Sequence, residues 1–230
     1  MATDPRDEYL QRVVGGRSFL EVGGLWGTVN EKVSVAHRAG AGELAMLDVT
    51  PQENELWRLF HERLRELGIQ APVACSTGDI SQYAGRRHDV VHCSGVLYHH
   101  PNPLTLLTGL ARACGEHLVL TSAITPQRIQ NARGTWEIPT SGVLFVPALE
   151  EEERAILAEH WRLAGAEAHG ITHDARFHVD EQNAADMGPW WWLPTAGAMQ
   201  AMAEAAGFQA LDGQLTWNRN ACTLLLRRVR

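Results

Sequence analysis

The feature that most constrains this chain is a repeated order of elements between residues 18 and 121: short β-rich apolar runs, each followed by a stretch with helical spacing. Asp4 followed by Pro5 is a helix start, with a side-chain oxygen for free amides and proline at the first helical position, so Pro5 to Val14 is expected to be helical. Ser18 to Val22 reads as a strand closed by Gly23, Gly24 and Gly27, and Thr28 to His37 has helical spacing. Leu44 to Leu47 is a second strand closed by Asp48. Thr50-Pro51 opens a helix through about Leu67, with Leu56, Phe60, Leu64 and Leu67 on one face and Gly68 at its end. Val73 to Cys75, Asp89 to Cys93 and His117 to Thr121 complete five strands, the last two separated by a helix over Pro103 to Ala113 whose Leu104, Leu107 and Leu110 share a face.

Such alternation builds βαβ units. Their right-handed crossovers make successive strands parallel and place helices on both faces, so a doubly wound α/β sheet is expected, with ligands at the carboxyl ends of the strands. After Ala123 the rhythm breaks. Up to about Leu193 there is one amphipathic helix, Glu150 to Ala164, in otherwise irregular sequence. A helix over Thr195 to Ala206 and strands at Phe208 to Leu211 and Ala221 to Arg227 then close a seven-stranded sheet. The expectation is one domain over residues 1–230, carrying an insertion at 123–193 that covers a substrate site.

Composition removes several function classes. With 45% hydrophobic and 20% charged residues, the chain can bury enough apolar surface to fold. No window approaches eighteen consecutive apolar residues and the first residues are charged, so no membrane partner and a cytoplasmic location are expected. The four cysteines are scattered without a C-x-x-C pair, which suggests neither a disulfide scaffold nor a structural zinc site. The formal net charge is −7, and Lys32 is the only lysine, so the phosphate-neutralising footprint of a nucleic-acid binder is missing. Arg227, Arg228 and Arg230 read as a solvated chain end.

The first chemistry-bearing constellation is Glu21-Val22-Gly23-Gly24-Leu25-Trp26-Gly27, where absent β-carbons let a ligand approach the backbone and Glu21 can anchor it. Asp48, with Val49 beside it, ends the second strand where an acid can bind both hydroxyls of a ribose. Asp79 and Ile80, after the third strand, are placed to meet an adenine amino group and ring; a plain helix cap is the other reading of Asp79. Two nucleotide classes drop out. A short-chain dehydrogenase needs tyrosine four residues before lysine, and Thr28 stands there; a phosphate-binding loop needs a glycine-lysine pair, and none occurs. A ligand with adenosine and an amino-acid tail fits, and S-adenosyl-L-methionine is the cofactor expected.

The run Asp89-Val-Val-His-Cys-Ser-Gly-Val-Leu-Tyr-His-His-Pro-Asn-Pro-Leu104 resembles the fourth motif and following helix of class I S-adenosylmethionine-dependent methyltransferases, over about residues 17 to 122. The resemblance implies a Rossmann-like sheet and cofactor contacts from Glu21, Gly23, Gly27, Asp48, Ser94 and Tyr98. Leu25 stands where the family's glycine turn has its middle glycine. A narrower likeness, in Gly95-Val-Leu-Tyr-His99 and in Gly188-Pro-Trp-Trp-Trp-Leu-Pro-Thr195, is to the branch containing tRNA wobble-uridine carboxymethyltransferases. The acidic charge and single lysine favour a small-molecule acceptor over RNA, methylated at oxygen or nitrogen.

Five of the eight tryptophans fall in the insertion, and Trp136, Trp191 and Trp192 are the candidate acceptor contacts, with core packing the alternative. Three consecutive tryptophans cannot all face one way in an extended segment. His99, His100 and His173 are candidate bases. His169, His173, Asp174 and His178 also form a cluster, but Gly170, Ile171 and Thr172 disfavour the helix that would align a metal pair, so no metal is expected. Two rival readings stay open: a tRNA-modifying enzyme, and a cofactor-binding regulatory partner without its own catalysis. The sequence leaves the oligomeric state open, a homodimer included.

Overall fold

A computed structural model of the chain describes residues 4–26, 29–166, 171 and 190–229. Among these, seven strands form one sheet in the order β10-β11-β5-β4-β1-β2-β3. They are β1 (Ser18–Val22), β2 (Glu43–Asp48), β3 (Val73–Thr77), β4 (His88–Ser94), β5 (Cys114–Ala123), β10 (Phe208–Thr216) and β11 (Ala221–Arg228). The first five run parallel, and the chain crosses from β3 to the far side of β1 to lay down β4. That reversal opens a crevice at the carboxyl ends of β1 and β4. β11 pairs antiparallel with both β5 and β10.

Helices cover both faces. On one, α1 (Pro5–Val13), α2 (Val33–Arg38) and α3 (Glu55–Glu66) pack Tyr9, Leu10, Val33, Trp57 and Phe60 against Phe19, Met46, Val90 and Val119. On the other, α4 (Pro103–Ala113) and α6 (Ala196–Ala205) pack Leu106, Leu107, Leu110 and Met199 against Leu20, Val91, Leu118 and Leu224. Successive strand residues point to opposite faces, which is why Leu20 and Val22 join one core while Phe19 and Glu21 face the other.

The helix starts follow local chemistry. Asp4 accepts from the Arg6 amide with Pro5 at the first position of α1, as expected. Thr50-Pro51 does not open α3: the Thr50 amide and hydroxyl both bond Asp48, and the cap is Asn54, which accepts from the Leu56 amide at 3.0 Å. Within α4 the buried residues include Pro103, Leu106, Leu107 and Leu110, an i, i+3, i+4, i+7 stripe, and Leu104 is 51% exposed. The expected set 104, 107, 110 drifts off one face because three residues fall short of a full turn.

Among the described residues, the stretch 123–193 holds more regular structure than the single helix expected. It holds a hairpin of β6 (Arg128–Asn131) and β7 (Gly134–Glu137), a pairing of β8 (Val143–Phe145) with β9 (Trp192–Pro194), and α5 (Glu151–Leu163). These gather around a third core of Ile129, Val146, Ile156, Leu157, Trp161 and Leu193, in contact with Tyr98 and Ala123 at the carboxyl edge of the sheet. Buried Arg154 donates to the carbonyls of Val146, Leu149 and Ile171, which ties α5 to the segments beside it. The turn between β10 and β11 reaches the same helix. Trp217, Asn218 and Arg219 are all left-handed, Asn218 Nδ2 donates to the Ala164 carbonyl at 2.8 Å, and His160 Nε2 meets Asn220 Oδ1 at 2.6 Å.

Gly109 allows α4 to touch the backbone before β4. A β-carbon there would overlap the Ile80 carbonyl oxygen and stand 2.7 Å from the Ile80 carbonyl carbon. Gly109→Ala is therefore expected to cost roughly 1–3 kcal/mol through forced backbone movement, despite alanine's better helix propensity. Urea unfolding checks this, and a variant as stable as the parent contradicts it.

Candidate functional site

The site is built where β1, β2 and β4 end. The turn after β1 is held by two bonds to β2: the Gly23 amide donates to the Leu47 carbonyl at 3.0 Å, and the Leu25 amide to Asp48 Oδ2 at 3.0 Å. Gly23 has φ +78°, and a β-carbon on it would stand 2.5 Å from Val96 Cγ2. A β-carbon on Gly24 would stand 2.9 Å from Met46 Cε and 3.0 Å from Glu21 Cγ. Both glycines are thus required by the protein's own packing. Leu25, where the sequence resemblance would have a glycine, turns its side chain into the core beside Met46 and Val33, and Trp26 is left 52% exposed. Gly27 lies outside the described residues.

Asp48 is 6% exposed. Its Oδ1 accepts from the Thr50 amide and hydroxyl at 2.9 and 2.7 Å, while Oδ2 accepts from Leu25. Three of a carboxylate's roughly four acceptor positions are therefore filled, which leaves capacity for one hydroxyl rather than the two the sequence suggested. Val49 is exposed beside it.

Glu21 and His92 face each other across β1 and β4, each 1% exposed, with His92 Nδ1 at 3.0 and 2.9 Å from the two carboxylate oxygens. His92 Nε2 is buried and has no hydrogen-bond partner among the described residues. Burial pushes the Glu21 carboxyl up, and the facing His92 works against that; Glu31 and Lys32 are the other charged groups acting on it. Glu21 thus lies beneath the glycine turn and supports it from inside.

Asp79 caps a short 3₁₀ turn, Ile80–Gln82, accepting from the Ser81 amide and hydroxyl at 2.7 and 2.6 Å. The His100 imidazole, 3.6 Å from Oδ2, together with the Ser81 bonds holds its carboxyl down at about 2. His100 therefore faces Asp79, and Ile80 is buried beside it. His99 turns the other way, into a line of rings. Its centroid lies 4.2 Å from Tyr98, 6.5 Å from Trp26 and 6.4 Å from Trp190, and Trp190 continues edge-on to Trp161 at 4.8 Å. Burial pushes the Tyr98 phenol far up, so it is a neutral hydroxyl at physiological pH. His173 lies outside the described residues, as do His169, Asp174 and His178.

The tryptophan run divides as an extended segment must. Trp191 is buried and stacked near Phe145, with ring centroids 6.4 Å apart, and its amide donates to the Tyr98 carbonyl at 2.7 Å. Trp192 donates from its indole nitrogen to the Pro101 carbonyl at 3.0 Å and packs 4.6 Å from Phe145. Trp190 is the ring that meets Tyr98 and His99. Trp136 pairs with Ile129 in the β6–β7 hairpin and packs on the third core. Among the described residues no cluster of three or more His, Cys, Asp or Glu is arranged to hold a metal ion.

Sequence reasoning missed Arg6 and His92. Arg6, on the first turn of α1, places Nη1 at 3.2 Å from Ser94 Oγ, at the very end of β4. The arginine carried no local signal, because only the packing of α1 brings it there. His92 was hidden inside an apolar strand run.

No family model matches the chain. A tRNA U34 carboxymethyltransferase from Trichodesmium erythraeum (strain IMS101) is 38% identical over 68 residues, which is 24% of this chain and 21% of that protein. Among solved structures, magnesium protoporphyrin IX methyltransferase from Synechocystis PCC 6803, with bound SAH, aligns with a TM-score of 0.56 at 14% identity, covering 93% of this chain and 75% of its own. An S-adenosylmethionine-dependent methyltransferase from Mesorhizobium loti gives a TM-score of 0.57 at 16% identity, covering 97% and 96%. An O-methyltransferase family 2 protein from Planctomyces limnophilus DSM 3776, in complex with apigenin, gives 0.56 at 14%, covering 94% and 50%. The fold is that of the class I S-adenosylmethionine-dependent methyltransferases.

A carboxyl that binds its proton more tightly in the folded chain contributes stability fully below the ordinary carboxylate value, and that contribution fades as pH rises. Removing the facing imidazole widens this effect for Glu21. His92→Phe is expected to lose roughly 3–5 kcal/mol at pH 8, where an unpaired carboxylate would be buried, and distinctly less at pH 5. Adding Glu21→Gln should recover most of the loss at pH 8. Denaturant unfolding of the three variants at both pH values is the measurement; an equal loss at pH 5 and 8 contradicts the assignment.

Proposed function

We propose that the chain is an S-adenosylmethionine-dependent methyltransferase that acts on a small molecule at oxygen or nitrogen. The observation that carries this reading is the line Trp26, His99, Tyr98, Trp190, which joins the glycine turn to the insertion across the end of β4. It sets aromatic faces and one imidazole at the point in this fold where the strands' ends receive ligand. The neighbours of the same fold with bound SAH or with apigenin support the choice of cofactor and of acceptor size.

The residues present fit the cofactor. Gly23 and Gly24 keep the turn free of side chains, Asp48 retains one acceptor position at 6% exposure, and Asp79 offers a carboxylate after β3, with Ile80 buried behind it. When bound, the cofactor supplies an electrophilic methyl group on a cationic sulfur. The chain's own part is alignment and exclusion of water. Holding two partners in register is worth roughly 7–11 kcal/mol of the barrier, and aromatic faces stabilise a nearby cation. His99 can hold the proton lost from the acceptor, while buried Tyr98 stays protonated and anchors the Trp191 segment through its carbonyl. The insertion, fixed to Tyr98 and Pro101 through Trp191 and Trp192, forms the cover. The net charge of −7 and a single, nearly buried lysine support a small acceptor over RNA. A second reading, tRNA wobble-uridine modification, is favoured by the 68-residue match to the carboxymethyltransferase.

Titration calorimetry with S-adenosylhomocysteine and with a dinucleotide tests the cofactor assignment: heat with the first and none with the second is expected. Asp48→Asn should weaken binding by about tenfold, as for a lost charge-assisted hydrogen bond. Once an acceptor is found, His99→Gln should lower turnover by about 10²–10⁴ without changing cofactor affinity. A salt-sensitive shift of tRNA by the protein would instead favour the second reading.

A further inference from the structure

Resting on the methyl-donor reading above, we propose that Arg6 and Lys32 receive the donor's α-carboxylate, and that Asp4 competes with it for the same two cations. The two cations lie at the carboxyl edge of β1 and β4. Arg6 reaches the last residue of β4 through Ser94, and Lys32 is the residue before α2, just after the glycine turn, whose Gly24 carbonyl accepts from the Asn30 amide. Their side chains retain only 14% and 10% exposure.

Both cations are held by carboxylates from the start of α1. Arg6 Nε stands 3.0 Å from each oxygen of Asp4 and Nη2 stands 2.6 Å from Oδ2, a fork that matches any carboxylate. Lys32 Nζ donates to Asp4 Oδ2 at 3.0 Å and to Asp7 Oδ1 at 2.5 Å. Burial works to raise the Asp4 carboxyl, but the hydrogen bonds from Arg6 and Lys32 outweigh it and keep it far below the usual range. Asp4 is thus an anion throughout the physiological range.

The set is balanced at two cations and two carboxylates. The neighbouring Glu21 and Glu31 already have His92 and Arg63 as partners. A third carboxylate entering between the glycine turn and Ser94 meets the guanidinium most directly by taking the place of Asp4 on it, with Lys32 kept in balance by Asp7. Binding of the amino-acid tail and docking of the first turn of α1 are then one equilibrium. A chain with nineteen other basic residues, all arginine, keeps its single compact ammonium here, where one point charge must serve two acceptors at once.

Two probes that differ in the tail test this: S-adenosylhomocysteine, and 5′-methylthioadenosine, the nucleoside thioether without the amino-acid part. Calorimetry on the full chain should show Arg6→Ala weakening S-adenosylhomocysteine by about tenfold or more, as for a lost charge-assisted pair, with methylthioadenosine unchanged. Asp4→Asn keeps a good helix cap while removing the competing charge, and should tighten S-adenosylhomocysteine severalfold, again with no effect on methylthioadenosine. The proposal is overturned if Arg6→Ala changes both ligands equally or neither, or if Asp4→Asn binds S-adenosylhomocysteine no better than the parent. Should Arg6→Ala fail to fold, Asp4→Asn decides alone. If the parent binds neither nucleoside, the donor reading itself has failed; if it binds both, any failure belongs to this assignment.

Discussion

The hydrogen bond from the Leu25 amide to Asp48 sets the geometry of the whole carboxyl edge. It draws the turn after β1 onto the end of β2, which forces the chain into the left-handed step at Gly23, against Val96, and leaves only hydrogen-sized room at Gly24 above Glu21. Leu25 then drops into the core while Trp26 swings outward toward His99. One backbone bond to a buried carboxylate therefore decides which residue of the turn is structural and which faces the ligand side. The Leu25 side chain is accommodated in the hydrophobic core instead of solvent.

Several polar pairings below this edge join elements distant in sequence. Glu21 with His92 links β1 to β4, Arg63 with Glu31 links α3 to the loop before α2, and Arg6 with Ser94 links α1 to β4. In a low-dielectric setting such pairs are costly to break singly, so they fix the relative placement of the elements more than they add to net stability. Apolar packing on the two faces of the sheet supplies the cohesion.

Much of this was legible in the sequence where the signal is local. Asp4-Pro5 announces the helix that starts there, and the alternation of β-rich runs with helical spacing yields the five parallel strands of the sheet. The start of α3 was misplaced because Thr50, a good cap by type, has its hydroxyl engaged by Asp48, a partner that only the fold supplies. The strands of the insertion were invisible for a related reason. Val143–Phe145 pairs with Trp192–Pro194, and runs of three residues with remote partners carry no periodicity to detect. At the site, the glycine turn and Asp48 could be found by position in the pattern. Arg6 could not, since its role depends on where α1 lies; Lys32 was conspicuous as the lone lysine, yet nothing in its neighbours told which acceptors it would meet.

Among the described residues, the stretch 123–193 meets the rest of the molecule at several places: Trp191 and Trp192 on the loop after β4, α5 on the tight left-handed turn between β10 and β11, and the carbonyls of Thr140 and Gly142 on Thr195 before α6. A flap moored along one seam swings like a door, whereas a span tied down at several points has no single hinge. Displacing the Trp191–Trp192 segment together with α5 would therefore require bonds to break at every one of these places, and the loss of any one leaves the others to hold the stretch in position.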